Sequence, residues 1–341
     1  MRVANGDLHA LNSNIDLWGN LIQNAMPILE LVEKATPENF DEADYLRANP
    51  DVEAVVRSGG LESGRMHFDM HGSKEGRLLR REVDLTGLRA EKAKRFVRAL
   101  NLDMPHRIDD EGRYDFLTDE LRRETGVSST SNVSENGYDE YCLGVINKHD
   151  SGLVVDVGSG KRPSYFPNVV NYEIVNYDTT DVLGVGEALP FKDGSVDAVI
   201  SIAVLEHVRD PFKCASEIVR ILKPGGDLVC AVPFLQPLHG YPHHYYNMSH
   251  QGLRALFERG LEIDDQLVID SIRPIWTLAW FVSSWAGGLE GQAKEEFLDL
   301  PLRQFLASPL ELLDKPWVRA LSTEKNFELA SATLLLAHKP L

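Results

Sequence analysis

From about residue 135 onward the chain alternates between two hydrophobic periods. Short, continuous apolar runs occupy Leu153 to Val157, Val169 to Ile174, Ala198 to Ile202, Leu228 to Val232 and Leu334 to Ala337. Their length and β-branched content predict buried strands. Between them lie helical stretches, the best marked over 211–222. There Asp210 caps, Pro211 sits in the first turn, Gly225-Gly226 follows the end, and Ala215, Ile218, Val219 and Leu222 form a stripe that needs a sheet face. Strands separated by helices imply right-handed crossovers and an α/β, doubly wound parallel sheet. A ligand then belongs at the carboxyl ends of the strands.

The first 134 residues have a different texture. Ile15, Trp18, Leu21, Ile22, Met26, Leu29 and Val32 share one face of a helix predicted over 14–36, with a kink at Pro27, that packs on its own chain. Residues 38–80 hold short helical signals punctuated by glycine, with Pro50 opening a helix after an Asn49 cap. The order YLxxNPDV, SGxxHFxxHG and EGR there resembles a small helical module found beside the enzymatic domains of bacterial surface-glycan proteins, which implies an accessory or docking role. His67 and His71 are four apart, but no third ligand accompanies them, which favours packing over metal. Helices are expected near 88–100 and 117–124, and the polar run 128–134 marks a boundary. The division predicted is an N-terminal helical accessory region over 1–134 and a main domain over 135–341.

Residues 271–322 interrupt the main domain before its last strand, near 327–338. Trp276, Trp280, Phe281 and Trp285 recur at helical spacing, followed by Leu298, Leu302, Phe305 and Leu306. Such a helical insertion covers a pocket, forms a face for a homo-oligomer, or is a packed stripe.

Composition narrows the function classes. The chain has 341 residues, 43% of them apolar, with 35 Lys plus Arg against 52 Asp plus Glu, for a formal charge of −17. That balance argues against a bulk grip on nucleic acid or anionic lipid. Cys142, Cys214 and Cys230 are too few and scattered for a disulfide framework or zinc knuckle, which suggests reduced thiols and a cytoplasmic protein. No signal peptide is evident, and the apolar run Ile275 to Leu289 is short for a transmembrane span.

The decisive loop is Asp156-Val157-Gly158-Ser159-Gly160-Lys161-Arg162-Pro163, after the first strong strand. A P-loop needs glycine where Val155 stands and Ser or Thr where Arg162 stands. A dinucleotide fingerprint, as in nicotinamide oxidoreductases, needs glycine or alanine where Pro163 stands. Asp156 is also badly placed for a pyrophosphate. S-adenosylmethionine carries no phosphate, and its cationic methionine end suits Asp156, directly or through water. Glu173, at the end of the second strand, suits the ribose hydroxyls. Lys161 and Arg162 are expected as surface charges.

The order VVDVGSGKRP, VNYEI, GEALPFKDGSVDAVIS, VLEHVRDP and EIVRILKPGGDLVCAVP resembles the class I S-adenosylmethionine-dependent methyltransferases of the ubiquinone/menaquinone-methyltransferase-like group, over about residues 135–270. The resemblance implies a Rossmann-like seven-stranded sheet and S-adenosylmethionine as cofactor. It implies that Asp156, Gly158, Ser159 and Gly160 hold the methionine portion and Glu173 the ribose. The segment with Glu187 and Leu189 lines the adenine, although Val185 stands where the family often has an acid. Ser201 and Ala203 lie under the methionine, and Glu206 and His207 begin the next helix; His207 either joins that site or fixes the turn.

After the fifth strand the run 233–248 is dense in histidine, aromatics and proline and is expected to build the acceptor site. His243 and His244, supported by Tyr245, are the candidates to remove an acceptor proton. A metal held by His239, His243 and His244 lacks a nearby carboxylate or cysteine. The function expected is methyl transfer to oxygen of a small-molecule, sugar or lipid-linked glycan acceptor. The alternative is a non-catalytic S-adenosylmethionine-binding or scaffold protein.

Overall fold

The computed structural model describes residues 27, 29–125, 135–240, 243–306 and 308–331. They divide into two compact units, 1–205 with 210–231, and 206–209 with 232–341.

The first unit is built on strands β1 (Leu29–Glu30), β2 (Val32–Lys34), β3 (Leu78–Arg80), β4 (Arg107–Ile108), β5 (Tyr114–Asp115), β6 (Val154–Val157), β7 (Ser164–Tyr165), β8 (Val169–Glu173), β9 (Val182–Leu183), β10 (Val196–Ile202) and β11 (Leu222–Ala231). Seven of them form one sheet in the order β11-β10-β6-β8-β9-β5-β4. All neighbours are parallel except the β4–β5 hairpin. From β6 the chain winds one way through β8 and β9, then returns to place β10 on the other side of β6. The expected doubly wound sheet is present, and its direction reverses between β6 and β10.

Local chemistry explains the crossovers. Helix Glu140–Lys148 starts where the Asp139 carboxylate accepts the Cys142 N–H at 2.8 Å. Its Cys142, Val145 and Ile146 pack on Val154, Val169, Ala198 and Ile200. Helix Pro211–Ile221 is capped by Asp210 and buries Cys214, Ala215, Ile218 and Ile221, as its stripe requires.

Three differences from the sequence-based expectations have physical causes. Residues 29–34 are strand, not the end of a helix: Leu29 pairs with Tyr165, and Leu31, buried with Leu85 and Tyr165, donates its N–H to the Pro163 carbonyl at 2.7 Å. Sheet hydrogen bonds beyond Pro27 replace the helical ones; the earlier part of that helix lies outside the described residues. Second, the sixth and seventh strands of the sheet, β5 and β4, come from the N-terminal region, joined by a tight turn with Gly112 at φ 80°. Third, Thr323–Leu329 is a helix capped by Ser322, so the last strand does not begin near 327; Leu334 to Ala337 lies outside the described residues.

The N-terminal region is fastened to the sheet by buried cations. Arg89 donates to the Thr180 carbonyl at 3.0 Å, Lys92 pairs with buried Asp181, and Arg80 reaches Asp178 at 2.7 Å. Residues 42–75 form the expected short helices, whose core unites Tyr45, Val52 and Phe68 with Ala35 and Leu79. His67 Nδ1 bonds the Tyr45 hydroxyl at 2.9 Å, and His71 is exposed.

In the second unit the insertion is helical, with Pro274–Gly287 and Gly291–Leu298 as its main helices. Ala286, Leu289, Phe297, Trp317 and Leu321 form its core, with Trp285 packed against it, while Trp276 and Trp280 are exposed. Among the described residues no helix is long and apolar enough to cross a membrane.

Candidate functional site

The carboxyl ends of β6, β8 and β10 lie side by side, with Val157 opposite Tyr172 and Ile200 opposite Asp156. The glycine loop leaves β6 at the reversal point. Gly158 has φ 70°, and a Cβ there would stand 2.4 Å from Val204 Cγ2 beyond β10, so the position admits glycine alone. Gly160 has φ 63° and donates its N–H to Glu173 Oε2 at 2.7 Å. Ser159 is buried, its hydroxyl 3.2 Å from the Gly160 carbonyl.

Two carboxylates govern this loop. Glu173 also accepts the N–H of Ile174 at 2.7 Å and of Val175 at 3.3 Å on Oε1. Burial raises its carboxyl above the ordinary range, and the backbone N–H groups pull it partly back. Three donors leave one of about four lone-pair sites open to a hydroxyl. Asp156, fully buried, accepts from Arg162 Nε at 2.8 Å, Arg162 Nη2 at 3.1 Å and the Tyr138 hydroxyl at 2.7 Å. Arg162 is therefore not a surface charge: it is 5% exposed, stacked 4.2 Å over the Tyr138 ring, and donates to the Asn136 carbonyl. The partners that draw it inward are 6 and 24 residues away in sequence, and the adjacent Lys161 alone keeps a surface role, paired with Glu135 at 2.9 Å.

Near the carboxyl end of β10, Ser201 is buried with its hydroxyl unpartnered among the described residues. Ala203 has φ 55°, the one non-glycine residue with positive φ among the described residues, and is exposed. Strained backbone of this kind persists where the surroundings over-determine it. Leu189 is buried, its N–H bonded to Glu217, and Glu187 accepts the Asp210 N–H at 3.4 Å. Val185 packs with Leu117 and Leu183, and its carbonyl accepts the Tyr172 hydroxyl at 2.8 Å. Asp156, Gly158, Ser159, Gly160, Glu173, Ser201 and Ala203 thus share the strand ends of the first unit.

His207, His243, His244 and Tyr245 belong to the second unit. Glu206 and His207 lie in a turn, not a helix, and the Glu206 carbonyl accepts the Tyr245 N–H at 2.7 Å. His244 Nδ1 accepts the His239 N–H at 3.0 Å, so its Nε2–H donates to Asn247 at 3.0 Å and neither nitrogen remains for a base. The His243 ring lies 5.2 Å from that of Tyr245. Glu206 is the residue the sequence did not mark: its side chain is fully buried, and burial pushes its carboxyl up to about 8. Burial lowers His207 and His239, which favours neutral imidazoles.

Residues 162–230 match the methyltransferase domain family. An uncharacterized methyltransferase of Mycolicibacterium gilvum (strain PYR-GCK) is 31% identical over 162 residues, covering 41% of this chain and 54% of its own. A demethylmenaquinone methyltransferase of Renibacterium salmoninarum is 32% identical over 119 residues, covering 35% and 44%. An uncharacterized methyltransferase of Mycobacterium sp. (strain JLS) is 54% identical over 41 residues, 12% of this chain and 16% of that one. The chain thus spans about half or less of the length of these relatives. Among solved structures, a putative methyltransferase from Bacillus halodurans C-125 shares 19% identity over 46% of this chain and 81% of that one, with TM-score 0.28.

Proposed function

We propose that the chain carries a class I S-adenosylmethionine-dependent methyltransferase domain, a reading supported by the match over residues 162–230 and by the methyltransferase relatives, that it binds this donor at the β6–β10 reversal, and that it transfers the methyl group to a small acceptor. The observation that carries the proposal is the glycine loop clamped by Glu173 at the switch point, where doubly wound sheets bind ligands. The residues fit the donor. Glu173 keeps one acceptor site for a ribose hydroxyl, the buried Ser201 hydroxyl has a bond to give, and Gly158 lets the loop turn tightly against Val204 at the strand ends.

When bound, the donor supplies a methyl group already activated by its sulfonium. The protein has to align, hold and exclude water. In this assignment Asp156 acts through Arg162 and Tyr138, fixing the shape of the loop, and Glu173 holds its far side. For an oxygen acceptor a proton must also leave. His243, His244 and Tyr245 are the loop residues proposed to serve, although both nitrogens of His244 are engaged within the loop. A sugar or glycan-type acceptor is supported by the module over 38–80 alone.

Calorimetry with S-adenosylmethionine and its demethylated product tests the donor. Heat that disappears in Gly158→Ala supports the proposal; no heat from either ligand on folded protein overturns it. Mass spectrometry of sugars and lysate fractions then seeks a donor-dependent methyl gain. Donor binding with no gain on any acceptor favours a non-catalytic scaffold, a reading supported by the internal pairing of Asp156.

A further inference from the structure

A second site gathers metal-ligating side chains that no sequence spacing brings together. Glu206 and His207 are adjacent in the turn after β10, and His239 lies in the loop after β11. One donor atom of each lies within 4.8 Å of the other two, with Glu206 Oε1 3.7 Å from His207 Nε2.

Both imidazoles are already in the tautomer a metal requires. His207 Nδ1 meets the His243 carbonyl at 2.7 Å, and His239 Nδ1 meets the Pro237 carbonyl at 2.8 Å. A carbonyl only accepts, so each Nδ1 carries the proton and each Nε2 the lone pair. A carbonyl on the far nitrogen is the usual way a metal-bound histidine is oriented. Gly240, at φ 91°, keeps the loop close to the first imidazole: a Cβ there would stand 2.3 Å from His207 Cε1.

Glu206 is the independent observation. It is 0% exposed, and neither carboxylate oxygen has a hydrogen-bond partner among the described residues. A buried carboxylate left in this way is costly unless a cation or a proton meets it.

We propose that Glu206, His207 and His239 bind one divalent transition-metal ion through a carboxylate oxygen and two Nε2 atoms. Two histidines and one carboxylate suit Zn²⁺ or Fe²⁺, and three protein ligands leave a position open to water or an oxygen of a small molecule. Tetrahedral donors stand about 3.3 Å apart, so side-chain adjustments of about 1 Å complete the site. His244 is not a ligand, since both its nitrogens are engaged. The assignment stands on the second unit and does not depend on donor binding.

The test uses the full chain, stripped with a chelator and titrated with Zn²⁺, alongside absorption spectra of the Co²⁺ form. One Zn²⁺ per chain is expected, with Co²⁺ ligand-field bands of a nitrogen and oxygen site and no thiolate charge transfer. Glu206→Gln and His239→Ala are each expected to weaken Zn²⁺ binding more than about 100-fold, beyond what loss of a supporting hydrogen bond does. His71→Ala, on an exposed histidine of the other unit, is expected to leave affinity unchanged. No Zn²⁺ bound by folded wild-type chain, affinity unchanged in both ligand variants, or affinity lost in His71→Ala overturns the assignment. Should a variant not fold, the Co²⁺ spectrum of the unaltered chain decides, a thiolate band counting against it.

Discussion

Asp156 and Glu206 are both acids with no solvent exposure, one in each unit, and their surroundings are opposite. Asp156 accepts three charge-assisted or hydroxyl hydrogen bonds from Arg162 and Tyr138; Glu206 accepts none among the described residues. A buried charge whose lone pairs are filled by its own chain is framework, and it rigidifies what lies around it. A buried acid with empty lone pairs marks a place where something else binds or a proton resides. Burial alone does not separate structural from functional carboxylates; hydrogen-bond accounting does.

Breaking the framework side is expected to have the largest effect. Arg162→Ala leaves Asp156 buried without its cation and should destabilise the first unit by about 3–5 kcal/mol. Urea denaturation measures this, and a loss under about 1 kcal/mol would show that Asp156 is not held as described. Gly158→Ala comes next: a left-handed backbone and a clash with Val204 predict about 1–3 kcal/mol of destabilisation together with loss of donor heat. Glu173→Gln should weaken the donor at least about tenfold, about 1.4 kcal/mol, because its amide nitrogen can accept neither from the Gly160 N–H nor from a ribose hydroxyl. Calorimetry checks it, and unchanged affinity would remove Glu173 from the donor site.

Glu206→Gln sharpens the comparison from the other side. In metal-free protein it should leave stability unchanged or raise it, since burial already disfavours the charged form of Glu206 and the substitution breaks no hydrogen bond of that carboxyl. A loss as large as that of Arg162→Ala would mean Glu206 is framework after all. The smallest effect is a slope with pH. Burial raises the folded pKa of Glu173 above its unfolded value. The folded state then binds more protons across that window, so this contribution to stability is present below the unfolded pKa and is lost as pH rises through the folded one. Melting temperature against pH should show a shallow fall there, flattened in Glu173→Gln.

The central strands and the glycine loop were legible because both are local signals: β-branched runs of strand length, and glycines directly after the strongest one. The β4–β5 hairpin was not, since two-residue strands in a charged stretch leave no period to see. Leu29 and Val32 fit a helical face as well as a strand, and tertiary pairing with Tyr165 and Arg80 decided between them. Arg162 looked like a surface charge because its burial depends on Tyr138 and Asp156, which only folding brings to it. The histidine-rich loop was visible, but the carboxylate it needs stands 33 residues before His239, in a turn the sequence marked as the start of a helix.

The buried cations of the N-terminal region have a practical consequence. An expression fragment trimmed to start at residue 135 would strip Asp181 of Lys92 and Arg89 and uncover the margin of β9 that β5 occupies. Such a fragment would carry an uncompensated interior acid and a sticky sheet border, and it would collect in inclusion bodies. Shortened versions of this protein should keep β4, β5 and the segment that carries Arg89 and Lys92.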